Sequence, residues 1–116
     1  MAAGDTMQGR RVPVEDGRPP TGDFEPGDYC GPIYGFTGDV PAVFFLKPNA
    51  RDEDAPPHAR SVQHVTSPPH TFTEEADGSL TIAASISNLR SHEPNGAGST
   101  DDGWHGFLER GVWRQV

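Results

Sequence analysis

The chain is poor in the residues that usually hold small proteins together. It has a single cysteine, Cys30, so no intramolecular disulfide can form and a secreted disulfide scaffold is excluded. Its longest apolar run, Ala42 to Leu46, falls far short of the roughly 18–20 residues a bilayer-spanning helix needs, which argues against a membrane partner. Residues 1–11 contain no apolar stretch of signal-peptide type, so secretion by a signal peptide is not expected. Hydrophobic residues make up only 33% of the 116 residues, too few for a helical bundle or a coiled coil. Lysine is nearly absent as well: Lys47 is the one lysine, and the other eight basic residues are arginines.

Positive charge is in deficit throughout. Seventeen acidic residues oppose nine basic ones, for a net charge of −8. Binding to a phosphate backbone draws on clustered Lys and Arg, and no such cluster exists, so direct nucleic-acid binding is not expected. The acidity serves solubility, or it lets the chain occupy a basic partner.

Glycine and proline are what the sequence has in quantity, 14 and 12 residues. They divide the chain into short segments. Residues 1–28 carry few apolar side chains, in neither a 3.6- nor a 2.0-residue period, and turn signals recur at Arg18-Pro19-Pro20 and Glu25-Pro26-Gly27-Asp28. This stretch reads as an extended or disordered arm, any order it has being supplied by another chain. Its anchors would be Val12, Val14 and Phe24, with Arg10 and Arg11 pairing with partner carboxylates. Residues 29–116 read as one small antiparallel β domain with two long polar loops, 48–60 and 88–103, giving an all-β sandwich or roll.

Within that domain, Tyr29 to Gly38 predicts a strand kinked at Gly31-Pro32, and Ala42 to Leu46 a buried strand. Ser61 to Thr66 is a further candidate. Asp77-Gly78 is a tight-turn dipeptide between strands at 70–76 and 79–87. The second of these alternates cleanly, with Leu80, Ile82, Ala84 and Ile86 on one face. A last hairpin joins Trp104-His105-Gly106-Phe107-Leu108 to Val112-Trp113-Arg114-Gln115-Val116, with Gly111 supplying a positive φ. Sharing a face with Leu108, Trp104 is expected to be the more buried tryptophan.

Candidate chemistry is sparse. His64 and His70 flank Ser67-Pro68-Pro69, and His105 could join them to leave an open zinc position. The chain lacks short ligand spacings, however, and the three read as unrelated; His58 and His92 lie in the polar loops. Cys30 reads as a small buried thiol in a strand. Glu74 and Glu75 are adjacent on a strand and point to opposite faces, so they do not form an acid/base pair. No Gly-x-Ser-x-Gly or P-loop pattern occurs. No catalytic residue, metal site or cofactor is expected.

Asp77-Gly78-Ser79-Leu80-Thr81-Ile82 and Ser85-Ile86, followed by Asp102-Gly103-Trp104-His105-Gly106-Phe107-Leu108 and Gly111-Val112-Trp113, resemble the small uncharacterised β proteins of actinobacteriophages. The resemblance spans about residues 29–116. Some members of the broader group of short phage β proteins carry Cys/His pairs suggestive of a metal, whereas this chain offers only Cys30 in the corresponding region. The resemblance implies a phage origin and no reaction. The expectation is a non-enzymatic accessory of a phage particle, made in the host cytoplasm and located in the virion. It would decorate a capsid, or belong to a connector or tail, and bind other virion proteins or copies of itself. An acidic cytoplasmic inhibitor of a host protein is the alternative, and a metal-binding module or metal-dependent enzyme a weaker one.

Overall fold

The computed structural model describes residues 4–17, 24–35, 38–51, 62–67, 70–87 and 104–116. The fold is all-β, two sheets packed face to face. The larger sheet contains β1 (Thr6–Gln8), β6 (Thr71–Glu74), β7 (Leu80–Ser87), β8 (His105–Glu109) and β9 (Val112–Gln115), in the order β1-β9-β8-β7-β6. The smaller sheet contains β2 (Arg10–Arg11), β3 (Asp28–Ile33), β4 (Ala42–Phe45) and β5 (Gln63–Thr66), in that order. Among the described residues every pairing is antiparallel except β2 with β3.

The two C-terminal hairpins form as their sequences predict. In the β6–β7 turn Gly78 takes φ 86°. Asp77 Oδ1 accepts from the backbone N of Ser79 at 2.9 Å and from its hydroxyl at 2.6 Å, so the turn is closed by its own side chain. In the β8–β9 turn Arg110 and Gly111 both have positive φ, 50° and 77°, the twist a two-residue hairpin requires. Leu80, Ile82 and Ile86 of β7 face inward and are buried, while Ala83 faces solvent.

Tyr29, Val43 and Phe45 of the smaller sheet meet Leu80, Ile82, Ile86, Trp104, Leu108 and Trp113 of the larger. Trp104 and Trp113 are 2% and 0% exposed, so Trp104 is not the more buried of the two. The reason is geometric: Trp113 stands opposite Leu108 across the hairpin and points to the same face. The two indoles lie edge to face, centroids 5.6 Å apart, and Phe45 lies 5.5 Å from Trp113. Gly106 leaves room for this contact, since a Cβ there would fall 2.8 Å from Trp104 Cη2.

The smaller sheet is apolar on both faces. Val43 and Phe45 point to the main core, whereas Ala42 and Phe44 point the other way, into a second cluster with Val12, Cys30 and Ile33. That explains an uninterrupted apolar run where a half-solvated strand would alternate. β3 ends at Ile33, earlier than expected, with a bulge between Cys30 and Ile33. Tyr34 is 75% exposed. The polar segment after β4 does not begin as a solvent loop: Pro48–Arg51 is a 3-10 turn with Pro48, Asn49 and Ala50 buried. The rest of that segment and the whole of 88–103 lie outside the described residues.

The N-terminal segment departs most from expectation. Among its described residues, 4–17 and 24–28, the segment takes its order from its own chain, and these residues do not stand apart from the rest of the domain. β1 pairs with β9, and Gly4 N donates to Gln115 O at 2.7 Å. The segment then crosses to the other sheet at Gly9, whose N donates to Gly111 O at 2.7 Å, and continues as β2 beside β3. Val12 N donates to Tyr29 O at 2.8 Å. The physical reason is that edge pairing uses backbone groups and needs no apolar period in the paired segment.

Two stability predictions follow from the packing. Trp104→Ala and Trp113→Ala should each cost about 3–5 kcal/mol, and the double variant should show a coupling of about 0.5–1.5 kcal/mol in urea titrations; additive costs would contradict the ring contact. Gly9→Ala should destabilise by about 1–3 kcal/mol, because its Cβ would lie 2.8 Å from Gly111 O and 3.0 Å from Gly27 O. An unchanged urea midpoint would show that the crossing is looser than described.

Candidate functional site

The expected anchors converge on the seam where the N-terminal segment meets both sheets. Arg10 grips Asp28 with a two-pronged contact, Nε to Oδ1 at 3.1 Å and Nη2 to Oδ2 at 2.7 Å. The Asp28 side chain is 4% exposed and that of Arg10 63%, so a solvated cation neutralises an enclosed anion. Glu25 N also donates to Asp28 Oδ2, at 2.9 Å. Charge-assisted bonds of this kind fix register as well as adding energy.

Arg11 braces three elements at once. Its Nη2 donates to Gly31 O at 2.8 Å and to Glu74 Oε1 at 2.8 Å, and its Nη1 donates to Gly78 O at 3.1 Å. It thereby ties β2 and β3 of one sheet to the β6–β7 hairpin of the other. The planar guanidinium fork suits this geometry, and a lysine would not reproduce it.

Val12 is buried in the second cluster, and the half-buried Phe24 packs against it. Val14 is the one apolar anchor that stays exposed, at 43%. Arg10, Arg11, Val12 and Phe24 are thus engaged within the chain, although the sequence reading assigned them to a partner. Beside them runs a shallow groove of about 420 Å³ lined by Arg11, Val12, Pro13, Val14, Gly31 and Gly78.

The residues considered for chemistry are placed apart. His64 is exposed on β5, its ring tilted against that of Phe44 with centroids 5.2 Å apart. His70 is half-buried with Nε2 3.2 Å from Ser85 O, while its Nδ1 is enclosed and has no hydrogen-bond partner among the described residues. His105 is exposed on β8. Among the described residues no three His, Cys, Asp or Glu side chains are grouped to hold a metal. His58 and His92 lie outside those residues. Cys30 is fully buried, and burial pushes its thiol up. Burial likewise raises the phenol of Tyr29. Among the described residues no helix is long and apolar enough to cross a membrane.

Lys47 was passed over in the sequence reading. It is 1% exposed, with Nζ 5.5 Å from the Trp104 ring centroid, a distance at which an ammonium is attracted by the indole face. Nearby in sequence, Asn49 has a buried Oδ1 with no hydrogen-bond partner among the described residues. The available signal was position: the chain's one lysine directly follows its longest apolar run.

No family model, curated protein or solved structure matches this chain.

The two raised groups give a pH prediction with a definite sign. A phenol or thiol held neutral by burial keeps its proton in the folded state to higher pH than in the unfolded state. Its contribution is fully present below the unfolded pKa and is lost as pH rises through the folded one. Melting temperature should therefore fall as pH rises through about 10, the ordinary range of a phenol. Tyr29→Phe should lessen that alkaline fall, and a fall of equal steepness in the variant would contradict the assignment.

Proposed function

We propose that the protein is a non-enzymatic accessory of a phage particle, a capsid decoration, connector or tail-associated protein that docks as a rigid body on its neighbours. The observation that carries this reading is the braced seam. Arg11 joins both sheets and lines a groove that also offers Val14 to solvent. A guanidinium beside apolar side chains matches the composition of protein-interface cores. A surface already fixed by internal bonds loses little further entropy when a partner docks. The resemblance of the C-terminal half to small phage β proteins supplies the setting.

Quantitative mass spectrometry of purified particles tests this. The chain should be present at a fixed ratio to the major capsid protein, through repeated density-gradient banding. Absence from particles together with abundance early in infection would overturn the reading. It would favour an acidic inhibitor of a basic host protein, the alternative that the net charge of −8 supports.

A further inference from the structure

We propose that the N-terminal segment from Gly4 to Val12 is an exchangeable strap, and that a second copy of this chain is the partner that receives it. The contacts it makes on its own domain would be made reciprocally between two copies, producing a dimer joined by swapped strands.

The strap's bonds are indifferent to which copy supplies it. Its principal contacts are with residues distant in sequence: Gly4 with Gln115, Thr6–Gln8 with the 112–114 stretch, Gly9 with Gly111, Arg10 with Asp28, and Arg11 with Gly31, Glu74 and Gly78. The same set forms in a closed monomer and in an exchanged dimer, which differ mainly in loop-closure and association entropy. The seat is also an edge. β1 covers the outer side of β9, so an empty seat leaves backbone donors and acceptors that template another strand.

The seat selects this sequence. At the crossing, Gly111 O and Gly27 O leave no space for a Cβ on residue 9. Next to it, the enclosed Asp28 carboxylate takes a guanidinium fork. One step earlier, Met7 packs against the main core. A thioether, a glycine and two arginines at positions 7, 9, 10 and 11 satisfy all of this, and another copy of the chain carries them in register.

Reach is sufficient. Eleven residues, 13–23, join Val12 to Phe24. Extended, they span up to about 36–40 Å, against a longest molecular dimension of 36 Å. Pro13, Pro19 and Pro20 disfavour a helix that would shorten them. Exchange is favoured at high local concentration, and only for the source of that concentration does the inference rest on the particle reading.

Full-length Thr6→Cys and Arg114→Cys chains provide the test, because residues 6 and 114 are directly opposed across β1 and β9. The fully buried Cys30 does not compete while the fold is intact. The two variants are mixed at high concentration, warmed through the unfolding transition, cooled and then oxidised. The expected product is a disulfide-linked pair of one Thr6→Cys and one Arg114→Cys chain. Placing both substitutions on one chain and oxidising it as a dilute monomer before concentration should give an intrachain bond and abolish dimers. In parallel, isotopically labelled and unlabelled wild-type chains, mixed and warmed in the same way, should yield mixed dimers amounting to half of all dimer by native mass spectrometry, lost on dilution. Absence of the mixed disulfide, with wild-type chains monomeric at every concentration, would overturn the proposal. Monomers that still band with particles would overturn exchange and leave the particle reading standing, whereas concentration-dependent mixed dimers absent from particles would support exchange and sink that reading.

Discussion

The structure turns on the burial of one indole. Trp113 is fully enclosed, and its N–H must find an acceptor or cost about 1–3 kcal/mol. The acceptor is Gly27 O at 2.8 Å, 86 positions away in sequence. That carbonyl also receives the backbone N of Arg10 at 3.4 Å, and Gly27 N donates to Leu46 O at 2.7 Å. A single glycine thus links the last strand, the N-terminal segment and the chain following β4. The missing side chain of Gly9 is a consequence, because a Cβ there would sit 3.1 Å from the Trp113 nitrogen.

A second constraint comes from the smaller sheet. With apolar side chains on both faces, it cannot leave one of them to water. Val12 and Phe24 cover part of the outer face, which commits the N-terminal segment to the domain a second time. Arg11 then spans the open side of the sandwich. Its partner Glu74 is 61% exposed, so that ion pair by itself adds little. The backbone carbonyls of Gly31 and Gly78 make the contact directional. The bracing of the seam and the groove beside it therefore have the same origin, since Arg11, Gly31 and Gly78 belong to both.

The hairpins were legible because their signals are local. Asp77-Gly78 and the alternation through Leu80, Ile82 and Ile86 specify turn, period and inward face within ten residues. Cys30 was legible as a buried thiol for a similar reason, since it precedes Gly31-Pro32 within an aromatic strand. The N-terminal segment was not legible. Its side chains show no period, and its pairing uses backbone groups that every residue carries. A shortage of apolar residues points to a foreign partner for Arg10 and Arg11. Their partners, Asp28 and Glu74, lie 18 and 63 positions away, a separation that charge counting cannot resolve. Lys47 shows the same gap: its position after an apolar run marks a strand end, and only the fold reveals the Trp104 ring below it.

The proposed exchange would join one folded chain to a second copy through a strap that closes its own core. That account depends first on the strap being part of the cooperative fold. Hydrogen exchange at the Trp113 indole N–H and the Gly9 amide, followed by NMR, measures this directly. Both should exchange only as slowly as the most protected amides of β7 and β8, with the same dependence on urea. Exchange at the rate of an unstructured peptide, while β7 and β8 remain protected, would contradict it.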